Sequence, residues 1–207
     1  MKTEIVDRLI QRINQKEVTV GVIGMGYVGL PLVLRFCEED FRILGFDVDS
    51  KKVATLKKGK SYLKSIPSSR VSKFVRNGLL DVTDDFSRLC EPDCILICVP
   101  TPLTEKMEPD LQYIEKTTEA IRSHLRKGQL IVLESTTYPG TTEEFILPRL
   151  ESTGLRAGKD FFLGFSPERE DPGNKRFMTQ HIPKVVAGVT PSCQKAAVSL
   201  YRQSYKR

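Results

Sequence analysis

Between Val18 and Leu34 the chain carries no charged residue, and the same stretch is broken by Gly21, Gly24, Gly26, Gly29 and Pro31. A membrane helix needs about 17–25 predominantly apolar residues, so this stretch sits at the lower edge of spanning length and holds too many helix breakers. Glu4, Asp7 and Glu17 precede it, whereas a secretory signal opens with positive charge. It therefore reads as the inside of a globular domain: a β-branched strand at 18–23, a glycine turn, and a helix at 27–37 that tolerates Pro31 in its first turns. A strand apolar on both faces must be covered on both faces, which points to a parallel sheet with helices above and below.

The rest of the chain alternates in the same way. Ile5, Val6, Leu9, Ile10 and Ile13 lie at helical spacing, so 1–16 reads as an N-terminal amphipathic helix packed on a domain of 17–207. Strands are expected at 41–46, 81–83, 94–99, 130–133, 161–165 and 185–189, with helices at 50–58, 70–76, 110–125 and 141–151. Leu111, Ile114, Thr118, Ile121 and Leu125 mark the buried stripe of the longest helix. Thr141-Thr142-Glu143-Glu144 has capping-box spacing, and Thr190-Pro191 opens a last helix with a cap residue and an N1 proline. Two consecutive βαβαβ halves, 18–83 and 94–165, make the fold class α/β: a single-domain, Rossmann-type doubly wound parallel sheet with helices on both faces. At 207 residues, with 40% hydrophobic and 28% charged residues, the chain is long enough for one sizeable core and unlike a disordered or fibrous one.

Lys plus Arg exceed Asp plus Glu by 32 to 26, which favours small anionic partners. The basic residues are dispersed; Lys51, Lys52, Lys57, Lys58 and Lys60 read as a solvated helix face, and no basic block interleaved with aromatics suggests nucleic acid. Five cysteines, an odd number without a secretion signal, fit free thiols in a reducing, cytoplasmic setting. Cys90, Cys94 and Cys98 recur at equal spacing and read as one core-facing side of a strand. His124 and His181 lie far from any cysteine pair, so no metal site is expected.

Gly24-Met25-Gly26-Tyr27-Val28-Gly29 follows a strand and opens a helix, the pattern that brings backbone amides at a helix N-terminus close to a pyrophosphate. Asp47 ends the second strand, where a carboxylate takes both ribose hydroxyls and repels the 2′-phosphate of NADP; the expected cofactor is NAD. Thr101-Pro102 and Glu134-Ser135-Thr136 follow two later strands, at the carboxyl edge where open α/β sheets bind ligands. Thr101-Pro102 also reads as a proline-stiffened strand exit, and Glu134 as a solvated carboxylate.

GMGYVG at 24–29, FDVDSKKV at 46–53, CVPTP at 98–102, ESTTYPGTTEE at 134–144 and FSPEREDPGN at 165–174 occur in one order and spacing. Together they resemble the UDP-glucose/GDP-mannose dehydrogenase family, and the last segment most resembles its UDP-N-acetylglucosamine 6-dehydrogenases. The resemblance implies oxidation of the C6 hydroxyl of a UDP-hexose to the uronic acid with two NAD, through a cysteine thioester. It implies that Gly24, Gly26, Tyr27, Val28 and Gly29 hold the pyrophosphate, that Asp47 holds the adenosine ribose, and that Lys52 lies beside that ribose or a phosphate. It places Thr101, Pro102, Ser135 and Thr136 in the cofactor site, Thr136 near the nicotinamide and a catalytic water.

The resemblance implies that Glu168, matching the glutamate of the family's Ser/Asn-Pro-Glu motif, acts as general base or orients water for thioester hydrolysis. Its loop also contains Arg169 and Glu170, candidates for substrate contact, although Arg169 can equally pair with its acidic neighbours. The family's nucleophilic cysteine, central dimerising helix and C-terminal nucleotide-sugar domain have no counterpart here, since Cys90-Glu91-Pro92-Asp93 lacks the preceding glycine of the family's motif. The chain is thus expected to be the N-terminal, NAD-binding part of a longer homo-oligomeric enzyme, itself inactive and a monomer or weak dimer, away from membranes. The alternatives are a binding-only dinucleotide module, or the NAD-binding part of a UDP-glucose or UDP-N-acetylmannosamine dehydrogenase.

Overall fold

The computed structural model describes residues 4–103, 109–167 and 184–204. Seven strands form one sheet: β1 (Thr19–Ile23), β2 (Arg42–Phe46), β3 (Leu80–Thr83), β4 (Cys94–Ile97), β5 (Leu130–Leu133), β6 (Phe162–Phe165) and β7 (Ala187–Gly188). Their order is β3-β2-β1-β4-β5-β6-β7, so the chain runs outward from β1 to one edge, returns, and runs outward to the other. The first six strands are parallel, with Val20 beside Ile43 on one flank and beside Cys94 on the other.

β7 departs from the expected parallel strand at 185–189. It is two residues long and antiparallel to β6, pairing Gly164 with Gly188 and Phe165 with Ala187. Ser166 Oγ donates to Val185 O at 2.9 Å, so the approach to β7 is held by a side chain rather than by a ladder.

Alternate residues of each strand feed two cores, one per face. Val20, Val22, Cys94, Leu96, Leu130 and Val132 belong to one. It is covered by α1 (Ile5–Asn14), α2 (Gly29–Glu38), α3 (Ser50–Lys57), α4 (Ser68–Arg76) and α7 (Pro191–Ser204). Ile23, Phe46, Ile95, Ile97, Ile131 and Leu133 belong to the other, under α5 (Gln112–His124) and α6 (Leu147–Glu151). Val6, Leu9 and Ile13 are the buried stripe of α1. Arg12 on the same helix pairs with Asp93 at 2.8 Å, at the amino edge of the sheet. Burial alone would raise the Asp93 carboxyl, but hydrogen bonds from Arg12, Arg126 and Thr19 N–H outweigh it and hold it below the usual carboxylate range.

Two local expectations fail for identifiable reasons. The Thr141 hydroxyl does not cap forward: Gly140, at φ 95°, turns the chain so that it donates back to Tyr138 O at 2.9 Å, and Thr141–Ile146 winds as a π-helical turn leading into α6. Cys90 is exposed, because Phe86–Cys90 forms a 3-10 turn before β4 instead of extending it, while Cys94 and Cys98 are buried as expected. The final helix starts as read from sequence, with Cys193 N–H donating to Thr190 Oγ1 at 3.2 Å.

Candidate functional site

The strand order reverses between β1 and β4, and a cleft of about 920 Å³ opens there at the carboxyl edge. This is the place where open α/β sheets hold ligands, and the volume suits a cofactor. Its floor is Gly24, Gly26, Tyr27 and Val28; Asp47, Val48 and Lys52 form one end, and Glu134, Ser135 and Thr136 the other. Tyr113, Lys116 and Thr117 of α5 form a side wall with Phe86. Tyr27 is 68% and Val48 85% exposed, large apolar surface at the cleft that a bound molecule would cover.

The three motif glycines are required for three different reasons. Gly24 has φ 93°, and a Cβ there would stand 2.5 Å from Cys98 O. A Cβ on Gly29 would stand 1.8 Å from Gly24 O, so the first turn of α2 lies directly against the loop. Gly26 differs: a Cβ there meets nothing within 4 Å. The protein leaves that space open in the cleft floor, in the turn three residues ahead of α2, where a phosphate would approach the backbone. These residues fit a pyrophosphate.

Met25 fixes the turn. Its side chain is fully buried, its N–H donates to Asp47 Oδ2 at 2.9 Å, and its carbonyl accepts from the Tyr62 hydroxyl. Burial, reinforced by the Asp47 and Asp49 carboxylates, pushes the Tyr62 hydroxyl well above its ordinary pKa and keeps it a donor. Asp47 also accepts from Asp49 N–H at 2.9 Å and has Lys52 Nζ 3.6 Å away. With about four acceptor positions on a carboxylate, two backbone amides orient the group and leave others for a diol. Lys52 therefore lines the cleft beside Asp47 rather than lying on a purely solvated face.

At the far end the side chains divide into struts and surface. Thr101 donates to Thr136 O, and Ser135 Oγ donates to Val99 O at 2.7 Å, tying the exits of β4 and β5 together. Thr136 is exposed in the cleft, and Pro102 is exposed beyond it, with its carbonyl accepting from Asp110 N–H at 2.7 Å. Glu134 is not a solvated carboxylate: it is 0% exposed, paired with Lys184 Nζ at 2.6 Å and accepting from the Tyr201 hydroxyl. Glu168, Arg169 and Glu170 lie outside the described residues.

Sequence reasoning missed Tyr62, Lys184, Tyr201 and the α5 wall. Lys184 carried a signal, a lone cation in an Ile-Pro-Lys-Val-Val run, and Tyr113, Lys116, Thr117 and Ala120 a stripe adjoining the buried one. A second, smaller cleft of about 420 Å³ lies beyond β5 between Thr137, Thr142, Phe165 and Val189. Among the described residues no group of three or more potential ligands could hold a metal, and no helix is long and apolar enough to cross a membrane.

Residues 18–205 match the sequence model described as the NAD binding domain of the UDP-glucose/GDP-mannose dehydrogenase family. The UDP-N-acetyl-D-glucosamine 6-dehydrogenase of Pseudomonas aeruginosa is 38% identical over 189 residues, which cover 91% of this chain and 44% of the relative. That of Salmonella typhi is 34% identical over 193 residues, 90% of this chain and 43% of the relative. Among solved structures, the NDP-N-acetyl-D-galactosaminuronic acid dehydrogenase of Methanosarcina mazei Go1 aligns with a TM-score of 0.85 at 31% identity, over 99% of this chain and 46% of the other. The chain spans less than half the length of these relatives.

Proposed function

Because this chain belongs to the UDP-glucose/GDP-mannose dehydrogenase family, we propose that it is the NAD-binding half of a nucleotide-sugar 6-dehydrogenase acting on a UDP-N-acetylhexosamine, UDP-N-acetylglucosamine first. The observation that carries the cofactor assignment is the empty space over Gly26 in the turn that leads into α2, flanked by an oriented Asp47. NAD, when bound, supplies the hydride acceptor. Gly24, Gly26, Tyr27, Val28 and Gly29 hold its pyrophosphate, and Asp47 with Lys52 holds the adenosine ribose. Thr101 and Ser135 brace the opposite end, and Thr136 offers its exposed hydroxyl there to the nicotinamide side or to a water. Glu168 acts as the base, and Arg169 and Glu170 contact substrate.

Oxidation of a C6 alcohol to a carboxylate removes four electrons, two per cofactor, and in this reading the chain provides the place where they are accepted. Among the described residues no cysteine is placed to act as the nucleophile. Burial pushes the Cys37 thiol up to about 12 and raises Cys94 as well. Cys193 is buried and accepts from Leu163 N–H, and Cys98 packs behind Gly29 at the pyrophosphate. Cys90 precedes β4, at the edge opposite the cleft. In this reading the chain alone is a cytoplasmic binding unit, a helix of 1–16 on a domain of 17–207, monomeric or weakly dimeric, and the intact enzyme is a homo-oligomer. Arg12 on Asp93 supports treating the N-terminal helix as part of the unit.

Calorimetric titration tests the reading. The chain should bind NAD at least tenfold more tightly than NADP and produce no NADH with UDP-N-acetylglucosamine; equal affinity for the two cofactors, or turnover, overturns it.

A further inference from the structure

We infer that Lys184 is a positioning residue for the nicotinamide end of the cofactor cleft, acting through the buried carboxylate of Glu134. The inference rests on the proposed binding of NAD and assigns a role to a group of three side chains that the reading above leaves unused.

Glu134 continues β5 by one residue, with its N–H donating to Ile97 O at 2.9 Å, and it is one of the residues lining the cleft, with its side chain turned into the protein. A carboxylate with 0% exposure is stable as an anion only with partners. Lys184 Nζ stands 2.6 Å from one oxygen with only 7% of its own side chain exposed, and the Tyr201 hydroxyl donates to the other. The Lys184 ammonium also lies 5.2 Å from the centre of the Tyr201 ring. The three residues come from the end of β5, the approach to β7 and α7, so the group joins three segments at one point.

A buried ion pair is commonly replaceable by apolar residues of equal volume without loss, so we read this one from its place in the fold. The place is the end of the cleft opposite Asp47. From β2 to β5 the cleft crosses three strand spacings, about 14 Å at roughly 4.8 Å each. A dinucleotide whose adenosine ribose lies on Asp47 and whose phosphates lie over Gly26 brings its other riboside to β5. Glu134 is followed directly by Ser135 and Thr136, and the Thr136 carbonyl is held by Thr101. Locking the Glu134 side chain therefore fixes where Thr136 meets the ligand. Lys184 also neutralises the carboxylate, as Lys52 does for Asp47 at the other end.

ADP-ribose shares everything with NAD except the nicotinamide, so it separates positioning from general damage. In the 207-residue chain, Lys184→Met should weaken NAD binding at least fivefold and leave ADP-ribose within twofold of the wild type. Lys184→Arg should restore NAD binding to within twofold. Tyr201→Phe, which removes one hydroxyl from the core, should move NAD in the same direction by two- to threefold, again without moving ADP-ribose, and stands in if Lys184→Met fails to fold. A parallel loss of both ligands, or no loss of either, overturns the inference. Failure of the wild type to bind ADP-ribose would instead overturn the cofactor reading itself.

Discussion

Substituting alanine for each motif glycine should separate binding from folding. In Gly26→Ala the new methyl enters space with no protein atom within 4 Å, and the backbone there is outside the left-handed region. Stability should be unchanged or rise by about 0.4–1 kcal/mol, because the unfolded chain loses freedom. For a domain of this size that is a gain of roughly 2–4 °C in Tm at most. The same methyl occupies the approach of a phosphate to the backbone amides. Losing one charge-assisted hydrogen bond of about 1.5–3 kcal/mol weakens NAD roughly ten- to a hundredfold. Gly24→Ala combines φ 93° with a contact of 2.5 Å to Cys98 O, and Gly29→Ala a contact of 1.8 Å to Gly24 O. Neither can be relieved without moving backbone, so both should unfold at lower temperature. Thermal melts and calorimetry on the three variants make the comparison. Wild-type NAD affinity in Gly26→Ala, or a fall in its Tm comparable to that of Gly29→Ala, would mean that the space over Gly26 does not receive the phosphates.

Three further outcomes are expected. Asp47→Ala should weaken NAD about tenfold by losing charge-assisted hydrogen bonds to the ribose, and should erase the preference over NADP; this is read by titrating both cofactors. Tyr62→Phe removes the hydroxyl that holds Met25 O, at a cost of about 1 kcal/mol in stability, and loosens the turn enough to weaken NAD several-fold by the same titration. The Asp93 carboxyl titrates below its unfolded value, so its stabilisation is present above about pH 4 and is lost as pH falls through the folded pKa. Asp93→Asn should therefore be less stable at pH 7 by about 2 kcal/mol, a figure kept modest because Arg12 and Arg126 are both partly exposed. Urea melts should also show it losing less than the wild type between pH 4 and pH 2.

What the sequence made readable was local or periodic. The strands announced themselves because they are buried on both faces, and Gly24, Gly26 and Gly29 because a turn, a ligand and a helix each demand a missing Cβ at fixed spacing. Asp47 followed from its place at the end of β2. What stayed hidden depends on contacts between distant segments: Tyr62 reaching Met25 O, and Lys184 and Tyr201 converging on Glu134. No spacing rule links those positions, so Glu134 read equally well as a solvated carboxylate. The capping-box reading of Thr141 failed because Gly140 turned the hydroxyl backwards. The reading of Cys90 failed because equal spacing along a strand has no meaning once the chain coils before it.

A crystal structure of the chain grown with NAD would show whether the cleft over the β1–β4 crossing holds the cofactor, and in which direction. Ribose hydroxyls are expected within about 2.7–3.2 Å of the Asp47 carboxylate, the pyrophosphate over Gly26, and the nicotinamide beside Thr136. NAD lying in the reverse direction, or in the smaller cleft at Thr137 and Val189, would contradict this placement.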